Sequence, residues 1–570
     1  MKSVRNFISA TIISVLFVCI YIYVEMPTLA WGWTDWMFMV FIIGLIYIFR
    51  SGTWTGLKTN KKDFSTYFGA ALCAIMIFLG VFVGFFSSSE LMNASKFRNV
   101  LGKINEVSNN KDLTATDINK IIFIDENVAA KYGDKQITTA DNLAMGSQVS
   151  IGEYTQQIVA GRVYYVAPIL HGGFWQYMKN SENGTPGYVI VDAINPKDSK
   201  MVTKLPDGSS VANVYQYNGY FSKNLERHLR LNGYASVGLT DFSYELDDNF
   251  HPWWVISKYV NTIGFSGSDA TGVVLVNPTT GEIKDYNINN LPAWVDRVQP
   301  VKFLTDQISW WGDLVHGVFN WSGADKLKLT QSLSMAYGND GHCYFYAGLT
   351  STGSDNTSVG FLMINSRTKE VKFFKSKGSS EDKAAASAEG VVQHLRYNAT
   401  HARFYNLNGD FTFAFGLKDA EGLVKKYAFV NYDDYAIVGI GDDESSAYRD
   451  YRSKLNSKGN VIVGDKYGKV QEVKGIVTRF SNDNKDGNSF YYLTIDKFKN
   501  KMFVSKSDVN PKLTLTKIGD EVVITFNDGS EGVIDMSSFD NISFGIQETG
   551  ALIAVEKQEI KLDSLKGSAK

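Results

Sequence analysis

The first chemical feature of this sequence is the placement of its histidines, the side chains most often used for metal binding and for acid–base chemistry near neutral pH. No pair follows the H-x-x-x-H or H-E-x-x-H spacing that places two ligands on one helix face. His228 and His394 occupy equivalent places in two similar segments, and we expect them to pack or cap a helix rather than share a metal ion. The seven are His171, His228, His251, His316, His342, His394 and His401.

The cysteines offer little chemistry. Cys19 and Cys73 fall inside hydrophobic segments, so only Cys343 belongs to the soluble part and no disulfide can form within it. His342 precedes Cys343 directly, but neighbouring residues on a strand point to opposite faces and cannot act as a nucleophile and its base. We therefore do not predict a catalytic thiol.

Two further segments approach known motifs and then depart from them. Gly264–Ser268 lacks the final glycine of a Gly-x-Ser-x-Gly nucleophile elbow and is expected to form a turn. Asn482–Gly487 resembles the start of a calcium loop, but Leu493 stands where the bidentate glutamate belongs, which favours a hairpin loop. No phosphate-binding glycine loop or dinucleotide fingerprint occurs, so the sequence predicts no catalytic residue, cofactor or metal.

A group of acids leaves one enzymatic alternative open. Asp241, Glu245, Asp247 and Asp248 lie within eight residues of one another and could meet other acids only after folding. A cleft that holds carboxyl groups with raised pKa values would favour a hydrolase.

Three hydrophobic segments at the N-terminus must position everything that follows. Phe7–Val24, Trp31–Phe49 and Tyr67–Phe86 each contain enough apolar residues to span about 30 Å of hydrocarbon, with aromatic residues near their ends. A cleavable signal peptide within Met1–Thr28 is the competing interpretation, but two more spans follow at once, which favours retention.

Basic residues predict which way these segments point. Lys2 and Arg5 precede the first segment, Arg50 and three lysines separate the second from the third, and the loop between the first two has no base. Because basic loops stay in the cytoplasm, the N-terminus is predicted to be cytoplasmic and the chain after Ser87 extracytoplasmic. Lys96, Arg98 and Lys103 argue weakly for the opposite orientation.

The charge of the remaining chain argues against nucleic acid as a partner. Six of the 57 basic and three of the 59 acidic residues fall in residues 1–87, which leaves 51 basic and 56 acidic residues beyond them. Binding to nucleic acid rewards a concentrated positive field, and this region has no such excess.

An internal repeat dominates the soluble region. Gly187–Val202, Gly272–Tyr286, Gly360–Phe374 and Lys426–Gly441 each contain a β-branched or aliphatic run, an Asp or Asn, a polar turn and a second strand. Helical segments at Leu225–Asn232 and Val392–Asn398 follow the first and third of these hairpins. This order predicts two related α+β modules.

The other segments complete the predicted organisation. Ser88–Lys103 is predicted to be an amphipathic connector. A short helix after Thr116 and strands at Ile121–Ile124 and Val163–Ile169 are expected to form a small domain. The second of these strands is predicted to end at Pro168. Pro292–Trp321 has aromatic residues at a helical period, which indicates core packing or, alternatively, an exposed binding stripe.

Five strand-like runs near the C-terminus resemble an OB-fold barrel. They are Glu472–Phe480, Phe490–Ile495, Lys501–Ser505, Glu521–Phe526 and Gly532–Met536. The expected boundaries are 1–87 for the membrane helices, 88–184 for the connector and small α+β domain, 185–290 for module one, 291–357 for the aromatic linker, 358–442 for module two, 443–468 for a linker, 469–545 for the barrel and 546–570 for a charged tail.

Some of these patterns resemble a known family. The hairpin form V-x-V-[DN]-x-x-T-G-E, clearest at Val274–Ile283, is similar to hairpins of PepSY-type domains. Gly187–Val191, Leu225–Leu229 and Trp294–Val298 together resemble uncharacterised multi-pass envelope proteins of bacteria and their phages, by pattern over about residues 115–545. The resemblance implies binding or regulatory roles outside the membrane and brings no catalytic motif.

The sequence therefore supports a multi-domain protein held in the lipid bilayer by three helices. We expect a non-enzymatic binding or scaffold protein of the cell envelope, whose partner is another envelope protein or the cell-wall polymer. A hydrolase built on carboxyl groups that meet in the fold is the alternative, and nucleic-acid binding by the barrel is a third. Oligomeric state is not predicted.

Overall fold

The computed structural model forms two compact units, residues 1–463 and residues 464–570. The helix predicted after Thr116, the bases Lys58, Lys61 and Lys62, and the tail 546–570 lie outside the described residues. The described residues are 2–30, 32–50, 64–107, 113, 116, 120–139, 148–337, 341–351, 357–407, 409–457, 470–485, 488–498, 500–506, 509–527 and 533–544.

The N-terminal region consists of three helices that are long and apolar enough to cross a membrane. They are α1 (Lys2–Glu25), α2 (Trp33–Arg50) and α3 (Phe64–Ser88). Glycines let α2 and α3 approach closely, because a Cβ atom added at Gly69 would meet the carbonyl oxygen of Gly44. The predicted apolar helices are confirmed, and α4 (Glu90–Asn99) follows them with a non-helical residue at Asn93.

The first of four antiparallel sheets follows α5 (Glu126–Thr139) and has the strand order β2-β4-β6-β7, with β3 paired to β4. Two short strands, β5 and β8, pair beside it, while β1 joins the third sheet. The strands are β1 (Ile104–Val107), β2 (Val149–Ile151), β3 (Thr155–Val159), β4 (Arg162–His171), β5 (Thr185–Pro186), β6 (Tyr188–Asp192), β7 (Lys200–Val202) and β8 (Ala212–Asn213).

The second sheet is a simple meander with the order β12-β11-β10-β9. Helices α6 (Phe174–Asn180) and α7 (Leu225–Leu229) precede it. Continuous apolar runs in β10 and β11 are buried on both faces of the sheet, with Trp254 and Val274 in one core and Trp253 and Val273 in another. Its strands are β9 (Gly238–Leu246), β10 (Pro252–Ile263), β11 (Ser266–Val276) and β12 (Ile283–Asn287).

The third sheet follows α8 (Val301–Asp313) and has the order β1-β18-β17-β15-β13, with β14 also paired to β15. Strand β1 pairs with β18 in parallel, and the short β16 and β19 pair with each other. Its strands are β13 (Leu327–Leu329), β14 (Ser334–Tyr337), β15 (Cys343–Ser351), β16 (Thr357–Ser358), β17 (Gly360–Asn365), β18 (Val371–Phe374) and β19 (Gly378–Ser379).

The fourth sheet lies between α9 (Glu381–Val391) and α10 (Glu444–Ser457), in the order β20-β22-β23-β24 with β21 also paired to β22. Helix α10 occupies the start of the predicted linker 443–468. The strands are β20 (Asn398–Ala399), β21 (Arg403–Leu407), β22 (Asp410–Lys418), β23 (Val424–Asn431) and β24 (Val438–Gly441).

Each sheet contains one of the four predicted hairpins, and the four turns share one hydrogen-bond pattern. In each turn the side-chain oxygen of an Asp or Asn at the end of the first strand accepts from the backbone N–H groups two and three residues later, at 2.8 to 3.0 Å. This Asx geometry explains why the sequence carries Asp or Asn there. The four residues are Asp192, Asn277, Asn365 and Asn431.

The sheets pack against one another in pairs. Sheets one and two enclose a core with α7, to which Leu229 and Trp254 contribute fully buried side chains. Sheets three and four enclose an aromatic core with α9, in which the rings of Tyr346 and Phe404 stack at 4.3 Å. Both cores are dominated by large apolar side chains, so burial stabilises the two pairs.

Two connecting segments join these pairs. Between sheets two and three, the hydroxyl of Ser257 donates to the carbonyl oxygen of Val298 at 3.0 Å. Between sheets four and one runs Ile121–Ile124, where the Tyr165 hydroxyl donates to a carbonyl at 3.0 Å and the Tyr405 hydroxyl accepts from an N–H at 2.9 Å. The four sheets therefore form a closed ring of contacts in which each sheet touches the next.

One strand at the edge of each sheet lies inside this ring, and we call these four, β3, β9, β14 and β21, the first strands. Gln157 on β3 accepts from the N–H of Leu246 on β9 at 2.7 Å, and Arg403 on β21 donates to the carbonyl oxygen of Met335 on β14 at 3.1 Å. Arg403 also donates to Gln156 on β3 at 2.8 Å.

Several local predictions were wrong. Ile121–Ile124 is not a strand, because its backbone bonds to side chains of two sheets instead of to a neighbouring strand. The strand predicted to end at Pro168 continues to His171. The helix predicted at Val392–Asn398 lies earlier, at α9, and only a short 3-10 turn follows it at Gln393–Leu395.

The second unit is a closed five-stranded barrel with the order β25-β26-β27-β29-β28. Four of its pairings are antiparallel and β27 pairs with β29 in parallel. Each of the five predicted runs lies on a strand, and a short 3-10 helix at Pro511–Leu515 connects the third to the fourth. The strands are β25 (Val470–Lys485), β26 (Asn488–Ile495), β27 (Met502–Lys506), β28 (Glu521–Asn527) and β29 (Val533–Asn541).

Candidate functional site

Buried polar side chains collect where the first strands of the four sheets meet. Such groups are costly in a protein interior unless they are paired, so their concentration at one place marks a candidate site. They come from all four first strands. The set is Thr155, Gln156, Gln157, Ser243, Glu245, Ser334, Arg403 and Asn406, each less than a tenth exposed.

Strand β9 is distorted at the residue that faces this cluster. The pairing of β9 with β10 shifts between Ile256 and Ser257, which leaves Asp241 as the extra residue of a β-bulge. Its φ angle is 53°, a left-handed conformation that costs energy for a residue with a side chain. The bulge directs the Asp241 carboxylate to within 3.7 Å of the guanidinium of Arg297.

Glu245 lies two pleats further along the same strand and is fully buried. One carboxyl oxygen accepts from the hydroxyl of Ser243 at 2.7 Å, and the other has no hydrogen-bond partner among the described residues. Burial raises the pKa of Glu245 to about 8, although the Ser243 hydroxyl and Arg297 act in the opposite direction. At neutral pH this carboxyl group mostly holds its proton.

Asp296 is a second buried acid, directly before Arg297. It accepts from the backbone N–H of Ile158 at 2.9 Å, and burial raises its pKa to about 7. Cys343 is buried nearby, and desolvation raises the pKa of its thiol above the ordinary range. The thiol is therefore protonated at neutral pH and is not activated as a nucleophile.

A small polar cavity opens beside this cluster, with a volume of about 150 Å³. Three carboxyl groups, from Glu126, Glu153 and Asp241, line it against the single guanidinium of Arg297. Burial and the neighbouring Glu153 raise the pKa of Glu126. The remaining lining is rich in aromatic rings and consists of Tyr154, Thr155, Pro168, Tyr217, Phe242, Ser243, Tyr244 and Trp254.

Two of the four acids considered in the sequence lie elsewhere. Asp247 accepts from the backbone N–H groups of Asn249 and His251, each at 2.9 Å, and so shapes the turn between β9 and β10. Asp248 accepts from the N–H of Ala160 at 3.1 Å. Only Asp241 and Glu245 belong to the cluster around Arg297.

The acids that complete this region were missed in the sequence. Glu126 and Glu153 reach the cavity from α5 and from the loop between β2 and β3, which only tertiary structure brings together. Asp296 and Arg297 did carry a local signal. They form a charged pair inside the otherwise apolar run from Leu291 to Val298, and charged residues in such a run are rarely accommodated without a partner.

The histidines have the structural roles that were expected or lie at the surface. His228 bonds to the carbonyl oxygen of Gly281 at 2.8 Å and packs against the Tyr215 ring, whereas His394 is exposed. Burial lowers the pKa of His171 and of His401, so both rings are neutral at pH 7. Within the described part of the chain, no group of His, Cys, Asp and Glu could hold a metal ion.

Comparisons with known proteins do not assign this chain to a family. No family model matches it, and no curated protein matches it. Among solved structures, a levansucrase variant from B. megaterium is similar over 76% of this chain and 97% of its own, at 11% identity. Its TM-score is 0.18, a value too low to support a shared fold or activity.

Proposed function

We propose that this chain is a membrane-anchored binding protein of the cell envelope, with its four-sheet region outside the cytoplasm. The observation that carries the proposal is the polar cavity between sheets one and two, in the same compact unit as the three membrane helices. Concave sites with a few convergent polar groups are the usual place for a ligand.

The lining favours a ligand that carries an amine. Three carboxyl groups face one guanidinium. Burial and the neighbouring Glu153 raise the pKa of Glu126, and Arg297 lowers it by less. An ammonium group would supply a further positive charge and could also lie over the rings of Tyr217 and Trp254. The free amines of cell-wall peptides have this chemistry, in accord with an envelope polymer as partner.

Calorimetry on the full-length protein in detergent would test this proposal. We expect saturable binding of an amine-bearing cell-wall peptide and weaker binding of its N-acetylated form. Glu153→Gln should reduce affinity about tenfold, since a charged hydrogen bond contributes roughly 1.5–3 kcal/mol. Glu282→Gln, an acid outside the cavity, is the matched control. Equal binding of the free and acetylated peptides would contradict the proposal.

A second candidate function is hydrolysis of an envelope polymer. What favours it is the pair of buried acids, Glu245 and Asp296, whose pKa values lie at about 8 and about 7, beside the Asp241 carboxylate. A protonated acid next to an ionised one is the arrangement that general acid–base catalysis needs. The test is release of soluble fragments from purified cell wall. Release that is lost in Asp241→Asn and retained in Glu282→Gln would show that the protein cleaves the polymer rather than only binding it.

We also propose an OB-fold for the second unit. The strand order first-second-third-fifth-fourth, the parallel pairing of the third with the fifth strand and the helix between the third and fourth support it. Two related modules remain our proposal for the sheet region, supported by the shared Asx turns and by the helices α7 and α9, which lie between successive sheets. The PepSY resemblance rests on the same hairpins.

A further inference from the structure

The four-sheet region is fixed directly to the ends of the membrane helices. Arg227, at α7, donates from Nε and Nη2 to the backbone carbonyl oxygen of Tyr23 at 3.2 and 3.1 Å, and its guanidinium lies 4.4 Å from the Tyr23 ring. The N–H of Leu29, between α1 and α2, donates to the carbonyl oxygen of Ala235 at 2.8 Å. These contacts hold the first pair of sheets against the end of α1.

A second set of contacts holds the region against α2 and α3. The ring of Phe265, at the tip of the β10–β11 hairpin, stacks on Trp33 at the start of α2 with 4.8 Å between centroids. The N–H of Phe265 donates to the Ser88 hydroxyl at the end of α3 at 3.0 Å. Trp310 of α8 donates to the Glu90 carboxylate at 2.8 Å. All of these helix ends lie on one side of the helices.

Large apolar side chains are exposed next to the first set of contacts. Trp175 is 78% exposed and Phe221 is 51% exposed. Arg227 links Phe221 to the end of α1, because its Nη1 also donates to the carbonyl oxygen of Phe221 at 2.7 Å. Phe221 has a φ angle of 50°, so a strained backbone holds its ring outward. Met178 and Leu231 are exposed in the same segments.

A second exposed group lies next to the other contacts. Phe319 is 71% exposed and Trp321 is 89% exposed, in the segment after α8. That segment is fixed by Leu314 and Val318, which pack with the buried Ile263 at the base of the hairpin tip that touches Ser88. The two exposed groups therefore lie beside two different helix ends.

We propose that these six residues form a membrane-facing rim that inserts into the headgroup region of the bilayer around the helices. The rim consists of Trp175, Met178, Phe221, Leu231, Phe319 and Trp321. Phe221 and Leu231 lie next to residues that bond to Tyr23 and Thr28 at the end of α1. Helix α6, with Trp175 and Met178, packs on the same segment because the Tyr177 hydroxyl donates to the carbonyl oxygen of Tyr220 at 2.8 Å. Phe319 and Trp321 follow α8, which reaches Glu90 beyond the end of α3, and at that level the helices are surrounded by lipid. Trp is stabilised in the interfacial zone because its apolar ring leaves water while its N–H group stays hydrated, and the other four side chains gain from removing apolar surface from water.

The bilayer is the occupant that the geometry favours over a protein partner. The rim continues an interface that the chain already makes with its own membrane helices, and its residues lie in two separate groups rather than in one groove. Insertion of both groups would seat the sheet region against the membrane surface. A single contact would leave the region free to tilt.

Lipid quenching in the full-length protein would test this inference. Cys19→Ala and Cys73→Ala remove the cysteines of the spans, and Cys343 can remain because it is buried. Phe221→Cys and Trp321→Cys would then each carry an environment-sensitive fluorophore in nanodiscs, with or without lipids that bear a nitroxide near the headgroup. The matched control is Tyr435→Cys, an exposed aromatic position in the turn before β24.

We expect the nitroxide lipids to reduce emission at least about twofold at both rim positions and to leave the control unchanged, as interfacial placement requires. Emission that stays as unquenched as at Tyr435→Cys would overturn the inference. So would blue-shifted emission without quenching, since protein rather than lipid would then cover the rim. If a labelled variant fails to elute as a monodisperse species, Trp175→Cys and Phe319→Cys test the same two groups.

Discussion

At the scale of single residues, the buried acids at the centre of the sheets make stability depend on pH. The pKa of Glu245 rises from its ordinary 4.5 to about 8 and that of Asp296 from 3.8 to about 7, in both cases because burial disfavours the charged form. Between these values the folded protein binds more protons than the unfolded chain. Stability therefore falls as pH rises through that window.

This argument predicts that the first unit unfolds more easily at pH 8 than at pH 5, with a slope of up to about 1.4 kcal/mol per pH unit for each group. Glu245→Gln keeps the shape and removes the titration, so its stability should decline less steeply over the same range. Near-UV circular dichroism during urea unfolding would measure both slopes. Glu282→Gln is the exposed control, and an unchanged slope in Glu245→Gln would contradict the assignment.

The cluster also shows which chemistry a sequence can reveal. The sequence drew attention to Asp241 and Glu245 because four acids lie close together in the chain. The structure shows that the bulge turns Asp241 towards Arg297, whereas Asp247 and Asp248 accept backbone hydrogen bonds elsewhere. Bulges depend on strand pairing and leave no sequence pattern of their own. Glu126 comes from a distant helix, and its place in the cavity could not be predicted.

At the scale of elements, local patterns were reliable where the local chain determines the structure. The apolar spans, the four hairpins with their Asx turns and the five barrel strands follow from composition and turn chemistry. The helix α9 was missed although Ser380 accepts from the N–H of Lys383 as an N-cap and several alanines follow. Ile121–Ile124 has strand composition, yet tertiary contacts with two sheets decide its conformation.

The misplaced helix changes one prediction about the two modules. If the two predicted helical segments were equivalent, Leu229 and Leu395 would occupy matching core positions, but Leu229 is fully buried between sheets one and two whereas Leu395 is only half-buried. Leu229→Asp should therefore cost several kcal/mol because it buries a carboxylate. Leu395→Asp should cost clearly less. Urea unfolding of the full-length protein would measure both changes in the free energy of unfolding. Equal decreases would show that the two leucines do occupy equivalent core positions.

At the scale of the whole molecule, the OB-fold that we propose for the second unit often binds single-stranded nucleic acid in other proteins, so the charge of this unit matters. Residues 469–544 contain ten basic and eleven acidic residues, so this segment has no net positive charge. Strand β26 carries three aromatic rings, those of Phe490, Tyr491 and Tyr492. The nearest cluster of basic residues is Lys497, Lys499 and Lys501, of which Lys499 lies outside the described residues.

We predict that the barrel does not bind single-stranded DNA. Fluorescence anisotropy of a labelled oligonucleotide with the full-length protein at ~150 mM salt should show no saturable change, because release of counterions cannot drive the association. The informative variant replaces Lys497, Lys499 and Lys501 together with alanine. Micromolar binding that this variant abolishes would show that the barrel does recognise nucleic acid.

The remaining question at this scale is which side of the membrane the sheets occupy. Contacts from Tyr23, Leu29, Trp33 and Ser88 place the sheet region on the side where α1 and α3 end and α2 begins. The bases Lys2, Arg5 and Arg50 belong to the opposite helix ends. By the positive-inside rule we predict that these bases lie in the cytoplasm and the sheets outside it.

Labelling of intact cells with a membrane-impermeant thiol reagent tests this orientation. Tyr435 is a suitable label site because its side chain is exposed. In a Cys19→Ala, Cys73→Ala background we expect Tyr435→Cys to label in intact cells and Val4→Cys, near the N-terminus of α1, to label only after lysis. The reverse pattern would place the sheets in the cytoplasm, and it would exclude the cell-wall polymer as ligand of the cavity while leaving the rim in contact with the inner leaflet.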